Sequence, residues 1–107
     1  MSQAKVLTDR DIKIVLATIG ASGKHAARNR IAFLLSYLGG MRAGEIASLK
    51  ISHVLNIHHQ IRDRIHLLPE ETKGKSPRTV ILSIKLQKEL SNFILNLKHV
   101  DLKRALI

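Results

Sequence analysis

Between Ala26 and Leu38 the chain sets Ala27, Ile31, Leu34, Leu35 and Leu38 at helical spacing, keeps Arg28, Asn29, Arg30 and Ser36 on the other side, and stops at Gly39-Gly40. An apolar stripe of that period has to lie against a core, so the segment is read as an amphipathic helix. The glycine pair ends it, because glycine accepts the left-handed C-cap geometry that other residues resist. Met41 to Leu49 then restarts as a short helix.

Upstream, Thr8 and Asp11 form a helix-capping signal ahead of Ile12, Ile14, Val15, Leu16 and Ile19, which predicts a first helix over about Thr8 to Ile19. Gly20 to Lys24 is a loop. Residues 51–60 carry a mixed turn pattern with no firm assignment. Ile65–Leu68 and Thr79–Leu82 read as short strands, and the polar stretch from Glu70 to Pro77 supplies a possible middle strand and turn. Ser83 caps a last helix carrying Leu86, Leu90, Phe93, Ile94 and Leu97. The order is three helices, a small antiparallel sheet and a further helix: an α+β fold, mainly helical.

Composition narrows the function. The 107 residues hold 18 Lys+Arg against 8 Asp+Glu, a formal charge of +10, while 45% apolar content supplies a core. One domain fits that length. A charge excess of this size draws polyanions, nucleic acid first among them. Phe33, Tyr37 and Phe93 are the only aromatics, too few for the base-stacking platforms of single-strand binders. With no cysteine there is no disulfide framework and no zinc ribbon. No apolar run approaches the ~20 residues of a membrane span and no secretory signal opens the chain, so a cytoplasmic protein with no membrane partner is expected.

Two constellations have the residue types that phosphate chemistry needs. In G-G-M-R-A-G-E, Arg42 stands at a helix start with Glu45 three residues on, where a guanidinium can grip two phosphate oxygens and a carboxylate can fix its rotamer. In T-K-G-K-S-P-R-T-V-I-L-S, Lys73, Lys75 and Arg78 crowd a turn into an apolar strand. A lysine so placed can donate a proton if neighbouring cations lower its pKa. Taken singly, each pattern is commonly a solvated surface feature.

Together, and in this order, they resemble the tyrosine recombinase (phage integrase) catalytic domain of the Xer and integrase type, from about Leu7 to Leu97. The run R-N-R-I-A-F-L-L-S-Y-L-G-G-M-R-A-G-E matches the apolar helix and T-G-x-R-x-x-E motif, with Gly39 in place of the usual threonine. Lys73 matches the hairpin lysine and Arg78 the arginine after it, while Ile81 stands where proline is common. The resemblance implies DNA strand exchange without metal or nucleotide cofactor. Arg42 would stabilise the charged transition state, Lys73 would protonate the leaving 5′-oxygen, and Glu45 would buttress Arg42. Lys75, Arg78, Arg28, Arg30 and Lys50 would contact double-stranded DNA.

The family's H-x-x-R motif and nucleophilic tyrosine follow the sheet, and neither occurs after Lys73 here. His25-Ala-Ala-Arg28 and His59-Gln-Ile-Arg62 precede the hairpin and fall in the wrong order, and Tyr37 lies on the apolar helix. The expectation is therefore a single partial catalytic domain over residues 1–107, without a core-binding domain and with half an active site. A non-catalytic DNA-binding or regulatory module acting on a full-length recombinase, or an inactive remnant, is the alternative. Apolar surface left uncovered by the absent helices would favour self-association. His53, His58, His59 and His66 lack the spacing of a zinc site.

Overall fold

The computed structural model describes residues 8–21, 23–72 and 76–107. In chain order they form α1 (Asp9–Gly20), α2 (Ala26–Tyr37), α3 (Ala43–Ser48), the single turn α4 (Ile51–Val54), strands β1 (Arg64–Leu67) and β2 (Arg78–Ile81), and α5 (Ile84–Leu95). The family-like α+β, mainly helical arrangement expected from the sequence is what forms.

Helix α2 is the central element, and its residues Ile31, Leu34 and Leu35 are buried. They meet Leu86, Leu90 and Ile94 of α5 in a core that also takes in Met41, Leu49, Ile51, Val54, Ile65 and Val80. Full burial of a leucine or isoleucine is worth roughly 1.5–3 kcal/mol, so this α2–α5 seam carries much of the fold. The capping predictions hold at both outer helices. Thr8 and Asp11 exchange hydrogen bonds at the start of α1, each 3.1 Å, and Ser83 Oγ accepts the Leu86 N–H at 3.2 Å.

Helix α1 has no buried residue and rests on α2 through a half-buried face. Ile14, read from sequence as part of that face, is 53% exposed, because only Ile12, Val15, Leu16 and Ile19 keep the strict i, i+3, i+4, i+7 stripe. At the end of α2, Gly40 takes φ +64°, and its N–H donates to the Ser36 carbonyl while Met41 N–H donates to that of Leu35. A Cβ at Gly39 would lie 2.6 Å from the Leu35 carbonyl oxygen. The glycine standing where the resembling motif has threonine is thus required by a close backbone approach.

Strands β1 and β2 pair antiparallel, with Ile65 opposite Val80 and His66 opposite Thr79. Of the possible middle strand and turn read into Glu70–Pro77, the turn forms: Pro69–Glu71 is a turn of 3-10 helix and the sheet has two strands among the described residues, with residues 73–75 of the stretch lying outside them. Proline's fixed φ and missing N–H suit a turn better than a ladder. Thr72 closes this turn and also clasps Ser76, accepting its N–H at 3.1 Å and lying 2.7 Å from its carbonyl. After α5 the chain folds back along the α3–α4 connection. Ile51, Ser52 and Leu106 N–H groups bond the Arg104, Leu102 and Leu49 carbonyls, and Leu106 enters the core. The apolar ending of the sequence thereby seals the core instead of extending from it.

Arg30 of α2 reaches Glu89 of α5 in a two-pronged pair, Nε to Oε1 3.1 Å and Nη2 to Oε2 3.0 Å. The hydrogen bonds from Arg30 hold the Glu89 carboxyl below the usual glutamate range, against an opposing push from burial. A lowered carboxylate pKa stabilises the fold above the unfolded-state value, and the contribution is lost as pH falls through the folded-state value. Because Arg30 is 41% exposed, solvent screening limits it to about 0.5–1 kcal/mol. Thermal melts of wild type and Glu89→Gln should therefore differ at pH 7 and converge in acid; curves that stay parallel would contradict the pairing.

Candidate functional site

The glycine break after α2 and the cap of α3 together present Arg42. Its backbone is extended at φ −82°, ψ 154°, and it occupies the N-cap position of α3. The usual capping side chain is an acceptor, which a guanidinium cannot be. The cap is instead made in reverse: Glu45 Oε1 accepts the Arg42 N–H at 3.0 Å. This leaves the Arg42 side chain exposed, with no hydrogen-bond or ion-pair partner among the described residues.

Glu45 is the one charged residue in the described core, 2% exposed. Its Oε1 also pairs with Arg78 Nη1 at 3.5 Å, and the other nitrogen of that fork, Nη2, donates to the Gly40 carbonyl at 2.9 Å. Oε2 of Glu45 is buried without a hydrogen-bond partner among the described residues. A buried carboxylate is tolerated when a cation compensates it, and Arg78 is that cation here. So the two constellations separated by more than thirty positions meet through Gly40, Glu45 and Arg78. Helix α3 also packs on the Pro69–Glu71 turn.

Lys73 and Lys75 lie outside the described residues. Glu45, expected to buttress the Arg42 side chain, acts on its backbone N–H. Arg30 is engaged with Glu89 as described above, on the α2–α5 seam. Arg28 is exposed on α2 and lines a recess with Phe93, Leu97, Arg104 and Leu106. Lys50 is exposed and bridges Ala105 through its backbone. Arg62, from one of the misplaced H-x-x-R strings, donates Nε–H to the Ser52 carbonyl at 3.1 Å. Tyr37 stacks on Phe33 with ring centroids 5.8 Å apart. Of the histidines, His53 Nδ1 accepts the Lys50 N–H at 2.9 Å and His66 Nδ1 lies 3.2 Å from Thr79 Oγ1. No group of three His, Asp or Glu stands within reach of one metal ion among the described residues.

Sequence reasoning missed the Gly40 carbonyl as a ligand of Arg78. No local signal announces a contact 38 residues long, and the only hint was that a glycine at positive φ leaves its carbonyl aimed away from the helix it ends.

Replacing Glu45 with alanine would remove the acceptor for Arg42 N–H and the anion facing Arg78 in one step. The expected cost is about 2–3 kcal/mol, read by denaturant titration. A loss under about 0.5 kcal/mol, the range of an ordinary surface change, would mean the carboxylate does not organise this corner.

Compared with known proteins, residues 5–105 match the model described as "Phage integrase family". No curated protein and no solved structure matches the chain.

Proposed function

This chain belongs to the phage integrase family, a recombination and integration role follows, and from that premise we propose that it grips duplex DNA by its phosphates and directs Arg42 at a backbone phosphodiester. The observation that carries this reading is the contrast between Arg42 and its neighbours. Arg30, Arg62 and Arg78 are committed to protein acceptors, whereas Arg42 is held by its backbone with its guanidinium unspent among the described residues. A planar fork so held can donate two parallel hydrogen bonds to non-bridging phosphate oxygens and stabilise the added negative charge of an attacked phosphodiester.

Lys73 keeps the place in chain order that the family gives its hairpin lysine, after the Arg42 motif and ahead of Arg78, which supports its role as proton donor to a leaving 5′-oxygen. Lys75, Arg28 and Lys50 add phosphate contacts that position the duplex without reading its sequence. No aromatic platform or metal cluster among the described residues competes with this reading. The nucleophile and the H-x-x-R motif that follows the hairpin in the family both lack a candidate within these 107 residues: Tyr37 is the sole tyrosine, and it stacks on a phenylalanine of the same helix.

Titrating a labelled duplex at several salt concentrations tests the binding. Affinity should fall steeply with salt, and Arg42→Ala should weaken it about tenfold and lower the salt slope by about one contact while leaving the melt unchanged. Salt-insensitive binding, or none at low salt, would sink the proposal. Incubated with a suicide duplex, the 107-residue chain should yield no covalent protein–DNA adduct, because the covalent step needs a nucleophile. An adduct lost in Tyr37→Phe would assign that tyrosine the chemistry denied to it here.

A further inference from the structure

We propose that Arg78 is a positioning residue for Arg42 and not a phosphate contact, so that the basic strand serves the site by locking the backbone on both sides of the exposed guanidinium. The binding half of this inference rests on the DNA reading above; the structural half does not.

Arg78 opens β2, and its two terminal nitrogens go to Gly40 and to Glu45, two residues before and three residues after Arg42. They straddle it. The Gly40 carbonyl belongs to a residue in the left-handed region, φ +64°, and Glu45 Oε1 is the same atom that accepts the Arg42 N–H. One oxygen thus joins the Arg42 backbone to the Arg78 side chain. With Arg78 removed, a carboxylate 2% exposed keeps a single N–H donor and no facing cation among the described residues. Such a buried group, short of partners, is drawn toward water, which weakens its hold on the Arg42 amide.

Geometry also says why the residue is arginine. Two acceptors on different segments need a rigid fork with separated donors, and a lysine ammonium, a point charge on a flexible stem, meets one of them at a time. With Nη2 donating to Gly40 and Nη1 facing Glu45, a side chain 35% exposed has only part of its fork left to offer a phosphate. The expectation drawn from sequence, that Arg78 touches DNA, gives way in this proposal to an indirect role.

A double-mutant cycle on the full chain separates the two roles. Arg78→Gln should weaken duplex binding about fivefold when Arg42 is present and have no further effect in the Arg42→Ala background, since residues acting through one another are non-additive. Independent, additive losses would make Arg78 a phosphate contact and overturn the inference, as would unchanged binding in Arg78→Gln alone. The second arm is amide hydrogen exchange without DNA. In Arg78→Gln, and in Arg78→Lys if the first variant fails to fold, the Arg42 N–H should lose about tenfold in protection while amides of α5 keep theirs. Full protection at Arg42 refutes the positioning role whether or not the chain binds DNA. Should wild type bind no duplex, the DNA reading fails alone, and this exchange result still decides the role of Arg78.

Discussion

A carboxylate placed where water cannot reach it governs the functional corner of this protein. Glu45 lies in the core, and a buried anion persists only if donors and a cation are brought to it. The Arg42 N–H supplies the donor and Arg78 the cation. Satisfying that one group forces β2, α3 and the turn after α2 into a common arrangement. The side chain of Arg42 is exposed as a consequence, because its backbone has taken the capping role.

The large positive charge is divided between tasks rather than spread evenly. Arg30 ties α2 to α5 through Glu89, Arg62 ties the turn after α4 to Ser52, and Arg78 ties the hairpin to α3. Arg28, Arg42 and Lys50 have side chains without such partners among the described residues. A count of basic residues therefore overstates what is available to a polyanion. On the proposed DNA reading, the cations that count are those whose hydrogen-bonding capacity the fold has not used.

The chain beyond α5 has a part in this economy of contacts. Its backbone hydrogen bonds to the α3–α4 connection, together with the burial of Leu106, support the segment that follows Arg42 and Glu45. Helix α1, by comparison, leans on α2 with a half-covered face and no buried side chain. Stability is thus concentrated around the α2–α5 seam and the α3 corner, with α1 at the periphery.

Local patterns decided much. The stripe of Ile31, Leu34 and Leu35, the Thr8 and Ser83 caps, the glycine break and the two apolar strands all act within a few residues, where periodicity and backbone sterics suffice, and each was legible in the sequence; Ala27, read on the same stripe, is exposed. The motif order around Arg42 and Lys73 was equally legible, because spacing along the chain is itself the signal. What the sequence could not decide is which acceptor each arginine would find, since Arg30, Arg42 and Arg78 are chemically identical before folding. Tertiary packing sorted them. It placed Glu89 opposite Arg30, set Glu45 and Gly40 against Arg78 and left the end of Arg42 unclaimed among the described residues, because only the folded chain fixes which distant carboxylates and carbonyls come within hydrogen-bonding distance.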